Sequence, residues 1–274
     1  MGRIDPRPEI RCTMNDFITR DYLVFAMKRK EAVHGKIVRI FVREKLVVVF
    51  LGNGLYGILS WEEFSIYPFT YYSNNNIPDE ILSLNEKVIS FFVTHVSSNR
   101  ITLSRKDHMA ETLAIFLSRY KWPVVWKCSV TSVFSESLYL DVGAGLKGFL
   151  PCRQISAARI NNLANFYHIE DIISCKKIEY DSSRKDFILS FKAMYNPIKQ
   201  ELAKYEVGQI ISVRIAEKLS NKSSIYPNEP GYYVEVNPVL TGVLHCKDVL
   251  ELDKIVSATI TRISYRIYLE LSQT

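Results

Sequence analysis

The sequence predicts an all-β-dominated chain of three tandem five-stranded barrels joined by short α-helices. Three observations lead there. A strand, a turn and a closing glycine recur three times at near-constant spacing. Each recurrence is followed by a strand, a polar turn and a strand that ends in Leu-Ser. Each is preceded by one further β-rich run. Repetition on this scale marks copies of one supersecondary unit.

The first pattern reads LVVVFLGNGLYGIL (Leu46–Leu59), LYLDVGAGLKGFL (Leu138–Leu150) and YYVEVNPVLTGVL (Tyr232–Leu244). Its closing glycines, Gly57, Gly148 and Gly242, stand 91 and 94 residues apart. The second reads VISFFVTHVSSNRITLS (Val88–Ser104), SCKKIEYDSSRKDFILS (Ser174–Ser190) and IVSATITRISYRIYLELS (Ile255–Ser272). The preceding runs are GKIVRIF, WKCSVTSVF and GQIISVRIA. All are rich in Val, Ile, Tyr and Phe and punctuated by Gly, Asn and Ser, which is strand composition. An open sheet of five short strands in about 70 residues would expose two edges, and closure into a small barrel satisfies them. The segments between the third and fourth strands, near 61–85, 151–173 and 245–253, are expected to hold a helix or loop.

Helices are expected between the barrels. In DHMAETLAIFLSRY, Met109, Leu113, Phe116, Leu117 and Tyr120 form one apolar stripe, with Asp107 as the cap. In NPIKQELAKY, Asn196 caps, Pro197 suits the first helical position, and Ile198, Leu202 and Tyr205 share a face. A further helix from about Asn15 to Lys30 shows Ile18, Tyr22, Phe25 and Ala26 at similar spacing. The expected organisation is a helical segment 1–33, a first barrel 34–106, a linker helix 107–120, a second barrel 121–192, a linker helix 193–204 and a third barrel 205–274.

Composition narrows the function classes. Of 274 residues, 47% are apolar and 23% charged, as in soluble globular proteins. No apolar run approaches the ~20 residues that span a bilayer. The opening MGRIDPRPEIR is polar and lacks a secretory apolar core, so the expectation is a cytoplasmic protein without membrane contact. Cys12, Cys128, Cys152, Cys175 and Cys246 are scattered, with no pair at metal-ligand spacing. They read as free thiols, and no cofactor or metal is expected. There is no glycine-rich phosphate loop, paired-histidine motif or nucleophile elbow, and His34, His95, His108, His168 and His245 are isolated. Catalysis is therefore not expected.

The net charge of +6 is unevenly spread. Residues 121–204 hold 12 basic and 8 acidic side chains, whereas residues 205–274 hold 7 and 8. The basic excess sits in the middle of the chain, as for an electrostatic contact with nucleic acid.

At this point the residues carry a specific resemblance. LSRK (Leu103–Lys106), an amphipathic helix, a strand and then LDVGAGLKGFLPCRQIS (Leu140–Ser156) resemble the junction of the first two repeats of bacterial ribosomal protein S-one. IEYDSSRKDFILS continues the likeness, and GYYVEV…TGVLH resembles that family's RNA-binding repeats. The resemblance implies tandem OB-fold barrels that bind single-stranded RNA, mRNA among it, in translation or RNA metabolism. It also implies contact with the small ribosomal subunit or another RNA-metabolism protein. The alternative kept open is a protein-docking adaptor with little RNA affinity of its own.

The family pattern places two aromatics entering strand two and a histidine ending strand three. The paired aromatic positions are Lys45 and Val48 in unit one, Glu136 and Tyr139 in unit two, and Pro230 and Tyr233 in unit three. The histidine position is Ser60, Pro151 and His245 in turn. The binding surface of such barrels is the outer face of strands two and three. Strand alternation puts Tyr139, Asp141, Lys147, Phe149 and Pro151 outward in unit two, and Tyr233, Glu235, Thr241, Val243 and His245 in unit three. The expected RNA contacts are Tyr139, Lys147, Phe149, Arg153, Arg184 and Lys185, then Tyr232, Tyr233, His245, Lys247 and Arg266. On charge, unit two is expected to anchor RNA and unit three to assist.

Unit one differs. Its outward set is Leu46, Val48, Phe50, Tyr56 and Ile58, too apolar for phosphate and suited to a protein partner. Residues 1–106 are expected to bind RNA poorly. The loop Asn221–Gly231 is expected to be mobile without RNA and to order over it.

Overall fold

The computed structural model describes residues 14, 17–71, 76–118, 125–155, 160, 162–194, 197–219, 231–246 and 248–272. Lys247, Asn196, Tyr120 and the loop 220–230 lie outside the described residues.

The chain opens with helix α1 (Arg20–Arg29). Strands β1 (Val33–Phe41), β2 (Leu46–Gly52), β3 (Leu55–Ser60), β4 (Val88–Val96) and β5 (Ile101–Ser104) follow, with helix α2 (Asp79–Ser83) between β3 and β4. Helix α3 (Arg105–Ser118) leads to β6 (Val125–Val133), β7 (Ser137–Asp141), β8 (Lys147–Pro151), helix α4 (Cys152–Ile155), β9 (Ile172–Asp181) and β10 (Asp186–Ser190). Helix α5 (Pro197–Leu202) precedes β11 (Ile210–Lys218), β12 (Gly231–Glu235), β13 (Thr241–His245), β14 (Ile255–Ile263) and β15 (Ile267–Leu271).

Each set of five strands closes into a barrel. In the first the order is β1-β2-β3-β5-β4, and in the third β11-β12-β13-β15-β14. The β3–β5 and β13–β15 pairs are parallel, while the other pairs of these two barrels are antiparallel. That connectivity is the OB fold. Register shifts recur at matching places, between Ile37 and Arg39 in β1 and between Ile215 and Glu217 in β11. A bulge there adds the local curl that closure requires. By contact the chain forms two compact units. The first is the chain up to Ser129 with Leu140–Gly148 and Tyr180–Asp186; the second is Val130–Tyr139, Phe149–Glu179 and the chain from Phe187 onward.

The repeat glycines have a packing reason. A Cβ on Gly57 would lie 2.6 Å from Leu103 Cδ1, and one on Gly242 would lie 2.7 Å from Leu269 Cδ1. The glycine of the third strand thus admits the leucine of the fifth. The register also refines the sequence alignment. Thr102 pairs with Ile58, and Tyr268 pairs with Val243. Leu269-Glu270, not Leu271-Ser272, therefore occupies the place of Leu103-Ser104.

The core of the first barrel follows the period of two. Val47, Val49, Leu51 and Leu59 are fully buried beside Ile37, Phe91 and Leu103. Helix α1 adds Leu23 and Ala26, and the β3–β4 crossover adds Trp61, Phe64 and Ile81. Two helix expectations are corrected. Phe25 is 44% exposed, because the helix starts at Arg20 under a Thr19 cap and turns Leu23 and Ala26 inward instead. Helix α3 starts two residues before Asp107, and the cap is Ser104, whose Oγ accepts the Asp107 N–H at 2.9 Å. Leu117 faces outward, while His108, Met109, Thr112 and Phe116 are buried. His108 reaches β4, with Nδ1 3.2 Å from Ser90 Oγ and its ring edge-on to Phe92 at 4.9 Å.

Arg105 of the LSRK motif is 2% exposed. Its Nη1 donates to the Phe64 carbonyl at 2.9 Å and to Glu80 Oε1 at 2.8 Å, and its guanidinium lies 5.1 Å from the centre of the Phe64 ring. One buried cation thus fixes the β3–β4 crossover to its barrel. In the third barrel Asn237 does comparable work. Its Nδ2 donates to Glu201 Oε2 and Tyr205 Oη, tying α5 and the residues after it to the β12–β13 turn.

Candidate nucleic-acid interface

The third barrel carries one continuous row across the outer side of its strands, in which Val243 and Tyr268 are buried, Tyr233 is half-buried and Arg262 is exposed. Glu217 on β11 pairs with Tyr233 on β12, Tyr233 with Val243 on β13, Val243 with Tyr268 on β15, and Tyr268 with Arg262 on β14. Leu219, Val243, Tyr268 and Tyr233 pack as a small apolar cluster separate from the barrel core. The Arg262 guanidinium lies 4.1 Å from the centre of the Tyr268 ring. Arg266 lies 4.7 Å from the centre of the exposed Tyr265 ring. Tyr268 Oη donates to Tyr265 Oη at 3.2 Å, which joins the two ring–guanidinium pairs. His245 occupies the next row, paired with Gly231 and with the exposed Glu270.

Aromatic faces take unpaired bases and guanidinium groups take phosphates; the half-buried Tyr233 and exposed Tyr265 with Arg262 and Arg266 are the groups here that can make both contacts. Sequence reasoning had named Tyr233, His245 and Arg266 there. It missed Arg262, Tyr265 and Tyr268. The signal was in the strand pattern, since Tyr268 and Arg262 are outward positions of the last two strands. Only the parallel β13–β15 pairing reveals that they continue the Tyr233 row.

Two assignments in this barrel are corrected. Tyr232 is 2% exposed and belongs to the core, with its Oη accepting the Leu250 N–H at 2.9 Å. It points inward because it precedes the outward Tyr233 on a two-residue period. Glu235, expected to share the open face with Tyr233, is also 2% exposed. Its carboxylate therefore does not stand on the open face beside Tyr233.

In the second barrel, Tyr139 and Phe149 come together with ring centres 5.3 Å apart, and Phe134 adds an edge-on ring 6.0 Å from Tyr139. Phe134, 53% exposed, was not anticipated. Asp141 is buried. Its Oδ1 accepts the N–H groups of Gly143 and Gly145, so it holds the β7–β8 turn and is not part of an open face. Arg153 is exposed on α4. Arg184 is exposed in the β9–β10 turn, with Nε 3.9 Å from Asp181 Oδ2. Hydrogen bonds from Ser183 and Arg184 hold the Asp181 carboxyl below the usual range. Lys147 and Lys185 are engaged by the Ile66–Tyr67 segment.

In the first barrel the equivalent row is Arg39, Val48, Ile58, Thr102 and His95. Leu46, Val48, Phe50 and Ile58 are half-buried, and Tyr56 is exposed with its ring 5.4 Å from Phe50. An aliphatic pair thus stands where the third barrel has Tyr233 and Val243.

No protein-family model matches the chain. Among curated proteins it is 26% identical over 182 residues to the small ribosomal subunit protein bS1 of Mycolicibacterium smegmatis, covering 66% of this chain and 36% of that protein. It is 28% identical over 175 residues to bS1 of Mycobacterium tuberculosis, covering 63% and 34%. A 4-hydroxy-3-methylbut-2-enyl diphosphate reductase of Fusobacterium nucleatum is 27% identical over 193 residues, covering 67% of this chain but 22% of that protein. The chain therefore spans about a third of the ribosomal relatives' length and less than a quarter of the reductase's. Among solved structures, a multidomain protein with nucleic acid binding domains from Streptococcus pneumoniae aligns over 89% of this chain and 73% of its own at 11% identity, with a TM-score of 0.25. The alpha subunit of aIF2 from Pyrococcus abyssi aligns over 30% and 35% at 15% identity, with a TM-score of 0.23. Neither superposition is close enough to carry function across.

Proposed function

We propose that this chain, S-one-like in sequence and built of three tandem OB barrels, binds single-stranded RNA, with the third barrel as its best-formed surface. The observation that carries the reading is the Tyr233–Val243–Tyr268–Arg262 row with Tyr265 and Arg266 beside it. Stacking of one base on such a ring contributes roughly 1–3 kcal/mol and tolerates any sequence. Each guanidinium–phosphate contact adds a salt-dependent share, roughly 0.7 in slope for a single strand. Ring faces take splayed bases, which a duplex does not offer, so unpaired RNA is the favoured ligand.

On this reading the second barrel contributes Tyr139, Phe149 and Phe134 as a further stacking site, with Arg153 and Arg184 near the backbone path. Lys147 and Lys185 are exposed cations of this barrel, the first over the Tyr67 ring and the second bonded to the Ile66 carbonyl. The resemblance to bS1 supports a role in translation in the cytoplasm, with mRNA and the small ribosomal subunit as partners. The first barrel, with aliphatic residues in the row, is the surface for a protein contact.

Fluorescence anisotropy of a labelled single-stranded oligoribonucleotide, competed with unlabelled duplex RNA of the same sequence, tests the reading. Salt-sensitive binding of the single strand that the duplex competes poorly is expected. Absence of binding at low salt would leave the docking adaptor as the better account.

A further inference from the structure

Tyr67 lies in the β3–α2 crossover and is 6% exposed. Its Oη accepts the Lys147 N–H at 2.9 Å and donates to the Lys185 carbonyl at 3.2 Å. The Lys147 ammonium lies 4.3 Å from the centre of the Tyr67 ring. Lys185 Nζ donates to the Ile66 carbonyl at 3.1 Å. All of these residues belong to the first compact unit, which includes Leu140–Gly148 and Tyr180–Asp186. Burial drives the Tyr67 hydroxyl well above the ordinary tyrosine range, against the opposing pull of the Lys147 amide. The hydroxyl stays protonated and can accept and donate at once.

A flat ring under an ammonium, with an acceptor and a donor on its edge that read one backbone N–H and one C=O, has the chemistry of an unpaired nucleobase. We propose that Tyr67 is a built-in occupant of a nucleobase subsite made by the Lys147 N–H, the Lys185 carbonyl and the Lys147 ammonium, and that RNA competes with it. The inference rests on the RNA-binding reading above and adds to it a site and a restraint. Asp186 supports a base over a phosphate. It is 6% exposed, and its charge interacts with both Lys147 and Tyr67. A carboxylate there opposes a phosphate and accommodates a neutral ring. While Tyr67 is seated, its hydroxyl occupies the Lys147 N–H and the Lys185 carbonyl and its ring lies under the Lys147 ammonium, so these groups are closed to a base.

The test uses the full chain and a fluorescein-labelled single-stranded oligoribonucleotide of mixed sequence, titrated at several salt concentrations. Tyr67→Ala should bind roughly tenfold more tightly, the order expected when two hydrogen bonds and a cation–π contact no longer compete. Its salt slope should steepen by up to about 0.7 as the Lys147 ammonium comes free. Tyr67→Phe, which keeps the ring and loses the hydroxyl, should gain in part. Adding Lys147→Gln to Tyr67→Ala should erase the steeper salt slope and leave the part of the gain that comes from the freed backbone N–H and carbonyl. If alanine unfolds the crossover, Tyr67→Phe decides alone. Wild-type binding with no gain in a folded Tyr67 variant overturns the subsite and leaves the RNA reading intact. No binding by any form overturns both.

Discussion

Replacing Arg105 by methionine tests how the first barrel holds its crossover. The guanidinium is almost fully buried and makes two hydrogen bonds, to the Phe64 carbonyl and to Glu80, while covering the Phe64 ring. Methionine keeps much of the volume, so lost packing is a minor part. Breaking a buried pair by removing one partner costs about 3–5 kcal/mol, because the other group is left without compensation. Glu80 is 23% exposed at its side chain and water relieves part of that, so the lower end, about 3 kcal/mol, is expected. For a domain of this size that lowers Tm by roughly 10–20 °C. Glu80→Gln keeps a hydrogen-bonding partner and should cost only about 1 kcal/mol. The double variant should be less destabilised than the sum of the two, by about 1 kcal/mol or more. Thermal and urea unfolding followed by near-ultraviolet signals would read these values, with Trp61 buried in the same crossover as a local reporter. A cost for Arg105→Met below about 1 kcal/mol would refute the idea that this ion pair fixes the crossover.

Other outcomes follow from the same geometry. Tyr233→Ala and Tyr265→Ala should each weaken RNA binding by roughly 1–3 kcal/mol while leaving its salt slope nearly unchanged. Replacing Arg262 and Arg266 by glutamine together should flatten that slope by about 1.4. Gly57→Ala forces a Cβ against Leu103 and should destabilise the first barrel by about 1–3 kcal/mol in urea unfolding. Burial pushes the Cys175 thiol up to about 12. At pH 8 it therefore stays protonated as well as covered, and thiol-reagent labelling followed by mass spectrometry should reach it only on unfolding.

The three barrels were legible in the sequence because closure imposes a strict period of two on each strand. Val47 and Val49 alternate with Leu46, Val48 and Phe50 in burial as the pattern required. What the sequence hid was set by contacts between distant segments. Tyr268 joins the Tyr233 row only through a parallel pairing of the third and fifth strands, which no local pattern announces. Lys147 is exposed as an outward position should be, yet its ammonium lies over the ring of Tyr67, 80 residues earlier, and its amide donates to that hydroxyl. Asp107 looked like a helix cap because strand β5 runs into α3 without a loop, and Ser104 both ends the one and caps the other. Tyr232 looked like a second surface aromatic. Its ring fills the barrel while its hydroxyl meets the Leu250 amide, so an inward tyrosine is satisfied there.

The central claim is that unpaired RNA lies across the outer face of the third barrel. Ultraviolet crosslinking of the full chain to single-stranded RNA, with crosslinked peptides identified by mass spectrometry, tests it most directly. Crosslinks at Tyr233 and Tyr265 are expected, with a weaker set at Tyr139 and Phe149. Crosslinks confined to the first barrel, or none from residues 231–271 under conditions where RNA is bound, would contradict it.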